Sequence, residues 1–353
     1  MNLREQVGQL IIVGVEGAEL SPLERAWLKL IRPGGVILFR RNIEQASQVT
    51  ALLREATEIS GAPLFRCIDL EGGLVDRLRD LIAPMPSPAA VFATGIRANF
   101  RKHGHLIARE AKLLGFGITF APVLDLALPI SAAVMKTRVV SPNPADVIAY
   151  AAAFLDGLKA VGVLGCGKHF PGLGGGTLDS HSATPLISRN WTELWSQDLA
   201  VFRALAPRLP IIMVAHAAYP KTEDPNLASI SSFWISTVLK KKIGFPGLVI
   251  SDDLEMGGIL TQLPIEEAAI QAILAGSDLI EICRDPSLVL RAYESMLAEA
   301  EKSSAFRRRV QSSFRRTDAF KQQHLSAQMP RPAPAEKFAA LRSDIEKFAG
   351  EIA

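Results

Sequence analysis

The sequence predicts a (β/α)8 barrel. Two observations carry the prediction: eight short apolar runs recur with amphipathic segments between them, and each run is continuously apolar, as in strands buried on both faces of a parallel sheet. Gln-Leu-Ile-Ile-Val-Gly-Val at 9–15 and Gly-Val-Ile-Leu-Phe at 35–39 open the series, and a helical pattern over 43–59 leads into the third run at 64–70. A second helical pattern, 100–114, separates that run from 118–126; a third, 144–160, precedes 163–170; a fourth, 190–206, precedes 210–216. The seventh run, 247–252, is joined by helical 264–275 to the eighth, 278–283. An open doubly wound sheet is the main competitor. Its one supporting feature, Gly172-Leu173-Gly174-Gly175-Gly176, has no acidic residue placed as a ribose partner after a second strand, which ranks it below the barrel.

With 353 residues, 48% of them hydrophobic, the chain can bury the core of one large α/β domain or of two smaller ones. Strand signals stop after Cys283, so residues 1–285 are expected to form the barrel and 286–353 a helical extension packing on it or trailing from it, with helices over 286–309 and 338–348 and a polar, proline-bearing stretch at 329–334. Net charge is only +3 and the basic residues are scattered except at Arg307-Arg308-Arg309 and Arg315-Arg316, which read as a solvated helix face; nothing points to nucleic acid. Cys67, Cys166 and Cys283 sit in apolar segments without metal-ligand or disulfide spacing and read as small core residues. The N-terminus lacks the pattern of a signal peptide and no uncharged apolar run reaches spanning length, which predicts a cytoplasmic protein with no membrane partner.

In a barrel, functional groups collect where strands run into the following loops, and polar residues stand at those ends here. Asp69 and Glu71 close the third run with Arg77 just beyond; Asp125 and then Arg138 follow the fourth; Lys168 and His169 end the fifth, His216 the sixth, Asp252 and Asp253 the seventh. Carboxylates accept from vicinal hydroxyls and cations donate to hydroxyl or acetamido oxygens, so this set suits a small-molecule carbohydrate. No paired-His or Asp-x-Asp spacing gathers metal ligands, and neither a metal nor a cofactor is expected. The Gly-rich loop that follows Lys168-His169-Phe170-Pro171-Gly172 ends in Asp179-Ser180-His181, a second cluster of ionisable groups.

Taken with Pro33-Gly34-Gly35-Val36-Ile37-Leu38-Phe39, Asp69-Leu70-Glu71-Gly72-Gly73, Ala121-Pro122-Val123-Leu124-Asp125 and Ser251-Asp252-Asp253-Leu254-Glu255-Met256, these motifs over residues 3–285 resemble glycoside hydrolase family 3, in its single-domain β-N-acetylglucosaminidase branch. The resemblance implies a retaining double displacement on cell-wall-derived muropeptides, with Asp252 as nucleophile and His181, oriented by Asp179, as acid/base. It implies further that Asp69, Arg77, Arg138, Lys168 and His169 grip the terminal N-acetylglucosamine, and that Asp253 is a supporting carboxylate. Glu71 and Glu255 stand next as acids should His181 not serve. The chain departs from the pattern at Leu173, where the family often has His, and at Leu74, where it often has Arg. Phosphorolysis, a broader β-glycosidase activity and a weakly active sugar-binding barrel remain the alternatives to hydrolysis of N-acetylglucosaminides.

Overall fold

The computed structural model describes residues 1–178, 183–325 and 331–352. Eight parallel strands close on themselves: β1 (Ile11–Val13), β2 (Gly35–Leu38), β3 (Phe65–Ile68), β4 (Ile118–Thr119), β5 (Leu164–Phe170), β6 (Ile211–Val214), β7 (Leu248–Asp253) and β8 (Leu279–Ile282), with β1 paired to both β2 and β8. Every strand coincides with one of the predicted apolar runs, β7 passing the end of its run by one residue at Asp253, because side chains on one face fill the barrel and those on the other meet the helices. The period of two is visible in the interior layer. Ile12, Ile37, Phe65 and Cys67, Ile118 and Phe120, Cys166, Ile211 and Met213, Leu248 and Ile250, and Leu279 and Cys283 form one buried cluster, distinct from the larger one between sheet and helices.

The helices at Ala46–Ser60, Arg97–Leu114, Pro144–Val161 and Ile265–Ala275 match the amphipathic patterns. The pattern over 190–206 divides into Trp191–Ser196 and Asp198–Leu205, because Gln197 leaves helical geometry and the buried Asp198 carboxylate, starting the second piece, pairs with Arg189 Nε at 2.9 Å. Besides short helices such as Leu3–Gly8 and Pro88–Ala93, two longer ones among the described residues lie where periodicity predicts none. Pro22–Ile31 is announced instead by a capping box of Ser21 and Glu24 around Pro22, and Phe233–Lys242 is wound wide, in π-helical turns. Between β3 and the helix Arg97–Leu114 the chain inserts a small antiparallel hairpin, Leu70–Gly72 with Val75–Asp76.

The described residues after 285 carry three helices, Pro286–Lys302, Ser304–His324 and Ala335–Ile352. The expected helix over 286–309 breaks at Ser303, which turns extended and caps the next helix through Oγ to the Phe306 N–H. That second helix closes the N-terminal end of the barrel. Phe320 packs edge-on to Phe65, and Lys321, fully buried, donates to Gln9 Oε1 at 2.7 Å with its ammonium 4.9 Å from the Phe65 ring centre.

The arginines of this helix are expected on a solvated face; Arg308 and Arg315 are exposed, but the structure corrects the expectation for Arg309 and Arg316. Arg309 donates to the carbonyls of Ile273, Gly276 and Ser277 at and just beyond the end of the helix Ile265–Ala275, and Arg316 to those of Pro246 and Gly247. Both also reach Asp278, which is wholly buried and shared with Lys240. Among the described residues no helix is long and apolar enough to cross a membrane.

Three cations converging on one buried carboxylate make Asp278 a point of failure. Asp278→Ala should cost about 1–3 kcal/mol, because it takes the shared carboxylate from three half-buried cations while also freeing the buried Val249 N–H. Urea unfolding checks this, and a loss under about 1 kcal/mol would show that the cations are solvated without it.

Candidate active site

The strand ends open into one pocket at the C-terminal face of the barrel, lined among others by Asp69, Arg77, Arg138, Lys168, His169, Asp252 and Asp253. In an unbroken strand, Lys168 and His169 would point to opposite faces, as would Asp252 and Asp253. Both strands are irregular at these pairs. Gly167 and Phe170 of β5 register with Ile212 and Val214 of β6, and Ile250 and Asp253 of β7 register with Leu279 and Glu281 of β8, so each strand carries one extra residue against its neighbour. Such a bulge re-aims side chains, and both members of each pair face the pocket.

One wall is a chain of alternating charges. Lys168 Nζ lies 2.8 Å from Asp69 Oδ1 and 2.7 Å from Glu71 Oε1. Arg138 holds Glu71 in a bidentate fork, Nε to Oε2 and Nη2 to Oε1, both 2.9 Å, and Arg77 reaches Asp69 Oδ2 at 3.5 Å while lying over the Phe39 ring. Burial alone would raise the Glu71 carboxyl, but Arg138 and Lys168 outweigh it and hold the group down at about 2. Asp69 is likewise driven well below the carboxylate range against its burial, by Lys168 and Arg77, and Lys168 and Arg138 are in turn held protonated by the two acids.

Glu71 is therefore an anion committed to two cations, which removes it as the reserve acid. Glu255 is removed as well, because its Oε1 accepts the N–H groups of Arg284 and Asp285, away from the pocket lining. Glu71 reaches its place on the hairpin, where Gly72 takes φ +92° and a Cβ would come within 2.3 Å of the Pro86 carbonyl.

Asp125 stands behind the pocket and fixes its next member. It accepts from His169 Nδ1 at 2.7 Å and from the Leu173 N–H at 2.6 Å, leaving His169 Nε2 for a ligand. Leu173 itself lines the pocket, and Leu74 is exposed at the hairpin tip. His216, a strand-end residue in the sequence, is turned away: Nε2 donates to the Asp253 carbonyl at 3.0 Å and Nδ1 lies 2.7 Å from Ser229 Oγ, so it braces the backbone beside Asp252.

The Asp252 Oδ1 accepts the Asp253 N–H at 2.9 Å, and among the described residues no cation pairs with it. Burial pushes the neighbouring Asp253 carboxyl up to about 7. Asp179 and His181 lie outside the described residues. The pocket has one further acid that sequence reasoning passed over, Glu281 on β8; its only signal is a single Glu in an otherwise apolar strand, at the same parity as Leu279 and Cys283.

The profile described as "Glycosyl hydrolase family 3 N terminal domain" matches residues 2–318. A "Beta-hexosaminidase" of Idiomarina loihiensis is 33% identical over 301 residues, 84% of this chain and 90% of the relative. Among solved structures, a glycoside hydrolase family 3 β-N-acetylglucosaminidase from Paenibacillus sp. superposes with a TM-score of 0.89 at 31% identity, over 99% of this chain and 69% of that one. NagZ from Neisseria gonorrhoeae, in complex with N-trifluoroacetyl-D-glucosamine, superposes with a TM-score of 0.77 at 27% identity and 98% coverage of both chains.

Removing Lys168 leaves Asp69 and Glu71 short of a cation at once. Lys168→Met should lose about 3–5 kcal/mol at pH 7. The gap should narrow as pH falls toward 4, because the low pKa values of the two carboxyls stabilise the native protein only above their unfolded range, while in the variant the acids take up protons instead. Urea melts across that range decide it; a gap independent of pH would mean that Lys168 contributes by packing alone.

Proposed function

The chain belongs to glycosyl hydrolase family 3, and we propose that it is a retaining, exo-acting β-N-acetylglucosaminidase that removes terminal N-acetylglucosamine from cell-wall-derived muropeptides in the cytoplasm. The observation that carries this reading is the contrast between the two walls of the pocket. One is a preorganised chain of charges that can exchange hydrogen bonds with sugar hydroxyls and the acetamido group; the other presents Asp252, a carboxylate with no cation to quench it among the described residues.

In the first step an Asp252 oxygen bonds to the anomeric carbon as the bond from that carbon to the aglycone oxygen breaks, and His181 gives its proton to the departing oxygen. In the second, water attacks the glycosyl-enzyme, His181 takes a proton from it, and the Asp252 ester is released with overall retention. Asp252 is preferred over Asp253 because burial raises the Asp253 carboxyl toward its protonated form, and its Oδ1 accepts the Glu255 N–H. The roles of His181 and Asp179 rest on the family resemblance. Asp69, Arg77, Arg138, Lys168 and His169 bind the sugar in this reading, and Asp125 positions His169.

Chromogenic β-N-acetylglucosaminide and β-glucoside, each with and without phosphate, test sugar and reaction together; release of sugar 1-phosphate would replace hydrolysis by phosphorolysis. Asp252→Asn should lose several orders of magnitude in kcat with its fold intact, and a slow 2-deoxy-2-fluoro substrate should label the peptide bearing Asp252. An adduct on Asp253 overturns the nucleophile.

Leaving groups test His181. His181→Ala should lose roughly 10²–10⁴-fold on a disaccharide, the usual worth of general acid–base help. It should lose far less in the first step with a dinitrophenyl leaving group, and the glycosyl-enzyme should then accumulate. Equal losses on good and poor leaving groups would remove His181 as the proton donor.

A further inference from the structure

Among the described residues, the acids of the sugar-facing wall share their cations: Asp69 has Lys168 and Arg77, and Glu71 has Lys168 and Arg138. Glu281 has none. It lies on β8 with 3% of its surface exposed, inside the barrel by the same alternation that turns Leu279 and Cys283 inward, and it lines the pocket with Asp252, Asp253 and Cys283. Its neighbours are acids and thiols. Asp253 on β7 is its register partner, Asp252 on β7 and Asp69 just past β3 act on it, and it in turn acts on Cys67 of β3 and Cys166 of β5. The Cys283 thiol, just past the end of β8, donates to Oε1 at 3.1 Å. Lys168, the cation of the adjoining wall, is engaged by Asp69 and Glu71.

An anion buried among other acids with no counter-charge is costly, and the ordinary escape is to keep the proton. Burial pushes the Glu281 carboxyl well above its usual range, and Asp253 and Asp69 push in the same direction. A neutral carboxyl differs from the charged acids across the pocket in one respect that matters to a ligand: it owns an O–H. The Cys283 thiol occupies Oε1, which leaves the acid proton for a partner that can accept.

We propose that Glu281 is a further substrate-binding residue, a neutral carboxylic acid that donates a hydrogen bond to an oxygen of the terminal sugar from the wall beside Asp252. The assignment rests on the hexosaminidase reading for the identity of the sugar. It divides the work of the pocket, with charged groups of the Asp69 wall holding hydroxyls on one side and an uncharged donor on the other. The donor adds no negative charge next to a nucleophile that has to remain ionised. The division has a signature in pH: the proton is present below the Glu281 pKa and lost above it, so affinity falls as pH rises through that value.

The experiment measures affinity for N-acetylglucosamine by calorimetry, and KM and kcat on a chromogenic N-acetylglucosaminide, from pH 5 to 9 in the full-length wild type, Glu281→Gln and Glu281→Leu. Thermal melts of each establish that it is folded. Glu281→Gln retains an uncharged donor and should stay within about threefold of the wild-type affinity at pH 6 while losing the fall at alkaline pH. Glu281→Leu should bind about 3- to 10-fold more weakly at pH 6, the worth of one neutral hydrogen bond, and show it in KM more than in kcat.

Wild-type affinity in a folded Glu281→Leu would overturn the proposal, and so would a Glu281→Gln as impaired as Glu281→Leu. An alkaline fall that persists in Glu281→Gln assigns the titration to Asp253 and overturns it too. Failure of the underlying reading looks different, because the wild type itself would then neither bind N-acetylglucosamine nor turn over its glycosides.

Discussion

The pocket depends on burying two carboxylates and two cations together, Asp69, Lys168, Glu71 and Arg138, so that each acid is matched by a base. No member could be buried alone, since an isolated ion in a protein interior costs several kcal/mol or shifts its pKa until it is neutral. Matched, they hold one another in a fixed array before any ligand arrives. A sugar then meets donors and acceptors already oriented, and little reorganisation is left to the reaction. The network also ties distant parts of the chain together: the end of β3 leads into Asp69, the hairpin gives Glu71, the segment after β4 gives Arg138 and β5 gives Lys168. The shape of the pocket and the closure of the barrel are in this sense one problem.

The opposite end of the barrel is solved with the same chemistry for a different purpose. Asp278, just before β8, gathers Lys240, Arg309 and Arg316, and the two arginines go on to satisfy carbonyls that the preceding helix and the strand entrances leave open. Phe320 and Lys321 fill the mouth that the strands cannot close by themselves. Charge thus fastens a helix at the bottom and presents a ligand surface at the top, and the difference lies in what remains accessible. At Asp278 every partner is spent inside the protein, whereas Asp252, Asp253 and Glu281 face open space.

Much of this was legible beforehand. All eight strands could be placed because a strand buried on both faces needs no phase to be recognised, and Asp69, Arg77, Arg138, Lys168, His169 and Asp252 could be gathered because barrel strands deliver their last residues to one rim. The same continuity hid which residues face inward. With both neighbours apolar, nothing in Leu-Ile-Glu-Ile-Cys says that the Glu points into the barrel, and nothing in Lys168-His169 or Asp252-Asp253 says that two adjacent residues share a side.

The sequence by itself determined the barrel, the set of polar residues at its rim and the family, since these follow from hydrophobic continuity, strand ends and motif order. Tertiary structure alone decided their partners. One extra residue in β5 and one in β7, set by register against neighbouring strands, turn both pairs into the pocket; the pairing of Glu71 with Arg138 and Lys168 makes it a fixed anion instead of a proton donor; and burial beside Asp253 with no cation paired to it among the described residues makes Glu281 the reverse. Protonation state depends on burial and on charges that are remote in the chain, here 67 residues from Glu71 to Arg138, and a linear sequence contains neither quantity.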